Sequence, residues 1–156
     1  MIKMLGPGRL CDGEIHLVLA NVTEADPERS YLPAYHFQIR RCGDEALLGG
    51  CTLRVGENAA VQYSGHIGYA VAPEHRGHRY AAKAVLLLLP LGFRCGLRRI
   101  IITCQPDNLA SRRTCLLAGG AFLGITPVPS WHEMYRTGRR MVCRYLFSSE
   151  KFYKVL

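Results

Sequence analysis

The sequence predicts a single-domain α/β fold over residues 1–156, a mixed and mostly antiparallel central sheet flanked by helices. Three observations carry that prediction. Short apolar stretches joined by Gly-containing turns run from Glu14 to Val71, as in an antiparallel meander. Val71 to Ala84 passes from an apolar strand through a basic turn into a long apolar helix. Beyond it, the Ile-rich segment Arg99 to Thr103 separates that helix from a second helical pattern.

The elements follow in order. Met1 to Gly13 offers only a Gly/Pro turn at Gly6 to Gly8, and Glu14 to Ala20 alternates as a strand. Asp26 to Pro33 is turn-rich without a helical period. Tyr35 to Arg41 and Leu47 to Val55 read as strands joined through Cys42-Gly43-Asp44-Glu45, and Gly56 to Asn58 turns into the strand Gly65 to Val71. Pro73 ends that strand because it has no N–H for a ladder. Ala81 to Phe93 reads as a buried helix starting near Gly77, kinked or shortened by Pro90 and stopped around Gly92 and Gly96. Asn108 is placed to cap the next helix, which ends at Gly119-Gly120. Ala121 to Val128 and Met141 to Phe147 are the last strands, around an aromatic loop from Pro127 to Arg140.

Bulk properties narrow the class. With 49% hydrophobic and 21% charged residues the chain can bury a core, and its net charge of +8 points to an anionic ligand or partner. Lys/Arg runs, zinc-finger spacing and aromatic-basic ladders are lacking, so nucleic acid is not the expected partner. Seven cysteines without a Cys-x-x-Cys pair make neither a disulfide framework nor a metal site, and imply a reducing compartment. The opening residues lack the pattern of a secretion signal, and the apolar run Ala81 to Phe93 is too short for a bilayer. The expectation is a cytoplasmic protein, without metal or membrane partner, and with strand edges that allow a homodimer.

The charge at the long helix start is anomalous. A helix N-terminus favours anions, yet His75, Arg76, His78 and Arg79 stand there. A phosphate seated in the turn would resolve the conflict, because N–H groups, dipole and guanidinium groups would converge on it. The alternative is a solvated basic turn.

Arg76-Gly77-His78-Arg79-Tyr80-Ala81, after a Gly-Tyr-x-Val-x-Pro strand, resembles the acyl-coenzyme A diphosphate loop of the GNAT N-acetyltransferase superfamily, Arg/Gln-x-x-Gly-x-Gly/Ala. Arg79 departs from it, occupying the middle Gly position. Asn108-Leu109-Ala110-Ser111, with Ala118 to Phe122 after it, resembles that superfamily's Asn-x-x-Ser/Ala helix and Gly-Phe turn. The two motifs span roughly residues 65 to 125. The resemblance implies a GNAT-like sheet splayed between two strands, with the N-terminal helical region shortened to the turns of Asp26 to Pro33, so that the acceptor side differs from that of relatives. It also implies acetyl-coenzyme A as co-substrate and a small-molecule amine or protein amino group as acceptor, acetylated by direct attack.

On that resemblance the coenzyme would meet Val71, Arg76, Gly77, His78, Arg79, Tyr80, Ala81 and Ala82, with Asn108 near the pantetheine arm and Arg112 near the phosphates. Asn108 serves equally as a cap, and Arg112 and Arg113 equally as solvated cations. A backbone N–H at or near Val71 would stabilise the oxyanion. His66, where many relatives carry Glu, is either the general base or an ordinary sheet histidine, with Glu133 and His132 next. Cys115 stands where relatives often place an acidic Tyr and is either a proton donor or packing, with Tyr135 as substitute. Two other classes remain open: a non-catalytic acyl-coenzyme A sensor and a basic nucleic-acid-binding module.

Overall fold

Residues 10–154 are described by a computed structural model, and the Gly6 to Gly8 turn lies outside them. Period-two alternation places Leu17, Phe37, Ile39, Cys51 and Leu53 on one buried face of a four-stranded antiparallel sheet, ordered β1 (Ile15–Thr23), β2 (Ala34–Arg41), β3 (Leu47–Arg54), β4 (Ile67–Val71). A single turn, α1 (Val61–Ser64), precedes β4, and α2 (Tyr80–Arg94) packs Ala84, Val85, Leu88 and Leu89 onto the buried face. Then follow β5 (Arg99–Cys104), α3 (Leu109–Leu117), β6 (Ala121–Pro127), α4 (Glu133–Arg136), β7 (Met141–Ser148) and α5 (Ser149–Lys154). The later strands form a second antiparallel sheet, ordered β5-β7-β6. Between β1 and β2 there is only a 3-10 turn, Pro27–Arg29, so the shortened helical region expected from Asp26 to Pro33 is what the chain has.

Three details differ from the sequence reading. Helix α2 begins at Tyr80, three residues later than Gly77, because Gly77 (φ 91°) and Arg79 (φ 63°) both take left-handed backbone. Pro90 does not end it, since the helix continues to Arg94; the carbonyl it leaves without an N–H belongs to Leu86, an exposed residue that water can serve. Gly92 lies inside the helix, where a Cβ would stand 2.7 Å from Ile100 Cδ1, so it permits close packing on β5.

The two sheets meet at one place. His66 N–H donates to Ile101 O at 2.7 Å, and Ile101 N–H donates to His66 Nδ1 at 3.0 Å. Gly65 makes room, because its φ of 79° suits glycine and a Cβ there would sit 3.0 Å from Ile101 O. Beyond this exchange β4 and β5 belong to different sheets, which is the splay expected from the motif resemblance.

Accepting the Ile101 N–H requires Nδ1 without a proton, so Nε2 carries the hydrogen and donates to Gly56 O and Glu57 Oε1, both at 3.1 Å. Burial lowers the His66 pKa below its ordinary 6.5, against the opposing pull of Glu57. A histidine whose folded pKa is depressed is protonated first in the unfolded chain. Its contribution is therefore complete above about pH 6.5 and is lost as pH falls below that value. In urea denaturation between about pH 7.5 and about pH 5, His66→Gln, whose amide can both accept and donate, is expected to lose less stability than the parent. Equal losses would refute the buried neutral imidazole.

Candidate functional site

The basic turn leaves β4 through a 3-10 turn at Pro73–His75. Arg76 Nε folds back and donates to Val71 O at 3.0 Å, which leaves its terminal nitrogens free. Among the described residues, no acceptor takes the backbone N–H groups of Gly77 through Ala82. No carboxylate pairs with Arg76, His78 or Arg79 either, whereas Lys83, one turn further along α2, is bound to Glu14 at 2.8 Å. Free N–H groups, a helix dipole and unpaired cations thus share one exposed turn, the arrangement that receives a phosphate group.

A cavity of about 890 Å³ opens where the sheets part. One wall carries Ile67, Gly68 and Tyr69 of β4, and the other Thr103, Cys104, Asn108 and Ser111. The basic turn is not part of the wall; it lies at the far end of β4. The edge of β4 facing β5 has no strand partner past His66, so the backbone between cavity and turn is open to an extended ligand. Gly68 adds to the space, with nothing within 4 Å of where its Cβ would be.

Across the cavity, Tyr69 Oη lies 2.7 Å from Ser111 Oγ and 3.6 Å from Cys115 Sγ. Asn108 caps α3 by accepting Ser111 N–H at 3.1 Å, which fixes the Ser111 hydroxyl beside the wall. The outer wall is built by the Asp26 to Pro33 turn and the aromatic loop. Tyr31 Oη donates to Glu133, 2.7 Å from Oε2 and 2.9 Å from Oε1, and this bond raises the Tyr31 pKa. On the sheet floor His36 lies between the hydroxyls of Thr23 and Thr52, 3.0 Å from each.

Several expected site residues are elsewhere. His66 is fully buried, has both ring nitrogens engaged and does not line the cavity, because it joins the sheets instead of facing solvent. Cys115 is fully buried, and desolvation pushes its thiol up to about 12, which suits packing. Tyr135 is off the wall, stacked under Arg140 at 3.5 Å from ring centroid to guanidinium carbon. Arg112 is drawn away from the basic turn, donating to Pro106 O at 3.1 Å and lying over Phe122. His132 lines the cavity, but Nε2 donates to Ala60 O and Nδ1 accepts Met134 N–H, leaving no free lone pair. Glu133 alone of the three named base candidates brings an exposed carboxylate to the cavity wall, its two oxygens sharing the single Tyr31 hydroxyl and keeping further lone pairs. Residues the sequence did not single out are Tyr31, His36 and Arg54. Tyr69 lay inside the quoted Gly-Tyr-x-Val strand, where its aromatic side chain was the available signal.

Residues 3–120 match the family model described as an acetyltransferase (GNAT) domain. The chain belongs to the GNAT acetyltransferase family. It is 33% identical over 81 residues to an uncharacterized N-acetyltransferase, YnaD, of Bacillus subtilis, an alignment covering 47% of this chain and 48% of that one. Among solved structures, a GNAT acetyltransferase from Bacillus anthracis superposes with a TM-score of 0.57 at 24% identity, covering 74% of this chain and 66% of that one. RimJ of Mycobacterium smegmatis, in complex with CoA-disulfide, gives 0.59 at 24% identity, with 76% and 54% covered. The microcin C7 self-immunity acetyltransferase MccE, in complex with acetyl-CoA and AMP, gives 0.57 at 20%, with 78% and 62% covered. The chain thus spans about half of the sequence relative and less than two thirds of these structures, which share its fold.

Within the GNAT loop, Arg79 stands where the pattern has Gly, and its backbone takes glycine's left-handed geometry at φ 63°, ψ 24°. The backbone thus takes a conformation that suits glycine, at the cost of strain in a non-Gly residue. Arg79→Gly is expected to raise unfolding stability by up to about 1 kcal/mol in chemical denaturation, and Arg79→Val to lower it. The opposite order would mean that the turn does not need this conformation.

Proposed function

We propose that the protein is an acetyl-coenzyme A-dependent N-acetyltransferase whose acceptor amine enters the cavity between β4 and β5. The observation carrying this reading is the continuous path from unpaired N–H groups at Gly77 to Ala82, along the free edge of β4, into a cavity holding Glu133 and Ser111. Coenzyme A fits the residues present: its diphosphate suits the basic turn, and the amides of its pantetheine arm suit an open strand edge. Bound there, it supplies an acetyl thioester.

The chain's residues account for the remaining needs of the transfer. The amine nitrogen forms a bond to the carbonyl carbon while the carbon–sulfur bond breaks, so one proton must leave nitrogen and the thiolate must be stabilised. Glu133, oriented by Tyr31, takes the amine proton, directly or through water. The Ser111 and Tyr69 hydroxyl pair donates toward the leaving sulfur, taking the place considered for Cys115. Burial raises the Tyr69 pKa, so this phenol stays protonated at neutral pH and can serve as a donor.

Arg76→Glu is expected to weaken coenzyme A binding tenfold or more in titration calorimetry through lost charge-assisted bonds and added repulsion; unchanged affinity would remove the basic turn from the site. Glu133→Gln is expected to lower kcat by roughly 100-fold or more, the usual scale for a general base, with coenzyme A affinity retained. A kcat within a few-fold of the parent, measured by thiol release from acetyl-coenzyme A with a responsive amine, would exclude Glu133 as base.

A further inference from the structure

Strand β3 sends Cys51 and Leu53 into the core, and therefore sends Thr52 and Arg54 to the opposite face, where Arg54 lines the cavity. Arg54 is half-buried there. Its Nη1 donates to Gly65 O at 3.0 Å, which uses one of five donors. Among the described residues no carboxylate forms an ion pair with it, although more exposed cations are paired: Arg41 with Asp44 at 3.0 Å, Lys83 with Glu14 at 2.8 Å and Lys154 with Glu150 at 3.1 Å. Desolvation pushes the Arg54 pKa down, the signature of a charge removed from water without compensation.

The space beside it belongs to the ligand. Thr52 pairs with Gly68, so Gly68 lies on the same face two residues along, and its missing side chain leaves that part of the wall open. Arg29 and Arg139 also line the cavity, as do Glu24, Asp107 and Glu133, and none of these five is in an ion pair among the described residues. A wall presenting unpaired groups of both signs complements a ligand carrying both signs. Of these groups Arg54 sits on a rigid strand with its fork already half oriented, and a planar fork matches the paired oxygens of a carboxylate or phosphate.

We infer that the acceptor carries an acidic oxygen group, a carboxylate or a phosphate, close to its amino group, and that Arg54 receives it on the cavity wall. This inference rests on the acetyltransferase reading for the fate of the amine, but not for the anion site. The turn at Pro27–Arg29 forms part of the cavity's rim and adds Arg29 to the wall.

The test compares three probe amines on the full chain: propylamine, β-alanine and 2-aminoethyl phosphate. Thiol release from acetyl-coenzyme A is expected to give a kcat/KM at least tenfold higher for one or both acid-bearing amines than for propylamine. The arm that leads identifies the group as carboxylate or phosphate. In Arg54→Gln this preference is expected to collapse to within about twofold, a ratio insensitive to the amount of folded protein. Equal use of all three amines by the parent chain, or a preference that survives Arg54→Gln, would overturn the inference.

If no amine is acetylated, calorimetric binding of the same probes separates the two ideas. Binding of the acid-bearing amines lost in Arg54→Gln would support the anion site and count against acetyl transfer; no binding of either by the parent would overturn the anion site itself.

Discussion

Two hydrogen bonds between His66 and Ile101 set the geometry of the whole site. They join the two sheets at a single row, and a buried imidazole substitutes for the backbone acceptor that a continuous sheet would have used. Past that row β4 and β5 separate, and each backbone group along the inner edge of β4 must find water or a ligand. An exposed strand edge is usually blunted by charge, a bulge or a covering element. Here it faces a cavity instead, which turns a folding liability into a binding surface. Gly65 and His66 are thus structural in place and functional in effect: they decide where the opening begins.

Charge is distributed to match. Lys83, which would crowd the first turns of α2 with a third kind of cation, is paired with Glu14, just before β1. Among the described residues, Arg76, His78 and Arg79 are left without an ion-pair partner around N–H groups that find no acceptor. The Arg76 side chain is not simply splayed outward, because its Nε bond to Val71 O anchors the guanidinium at the end of β4 while leaving two nitrogens to act. Left-handed backbone at Arg79 completes the turn. A side chain there adds charge while the peptide group keeps the orientation a glycine would give it. The departure from the family pattern changes the chemistry of the loop without changing its path.

Much of this was legible in the sequence, and the exceptions have physical causes. The strands of the meander and the Asn108 cap each rest on local rules, alternation and capping chemistry. The missing helices before β2 were legible for the same reason. The side chains proposed for the chemistry were not, because their positions depend on pairings across the fold. His66 reads as a titratable residue on the right strand, and only the position of Ile101 shows that its lone pair is already used. Tyr31 and Glu133 lie 102 residues apart and meet through one phenol. Arg54 looks like an ordinary alternating charge until the register with Gly68 shows which face it shares. Pro90 and Gly92 read as helix breakers because local propensity outweighs packing in a sequence, whereas in the fold the burial of Leu88, Leu89 and Leu91 holds the helix through them.

On the proposed reading the site has two halves built by different means. The coenzyme half is made of backbone: a strand edge, a turn and a capped helix, all fixed by the core and tolerant of side-chain change, as Arg79 and Cys115 illustrate. The acceptor half is made of side chains brought in by a short turn and a loop, with Tyr31 bridging to Glu133 and with Arg54 projecting from the rigid floor. Recognition by backbone depends on topology more than on residue type, so it tolerates substitution at the side chains around it. Recognition by side chains does not, and here the segment between β1 and β2 that reaches the cavity is only a tight turn, Pro27–Arg29. A half-buried guanidinium without an ion-pair partner among the described residues, next to a glycine gap, gains most when an anionic group shares its charge, and on the proposed reading that group belongs to the acceptor.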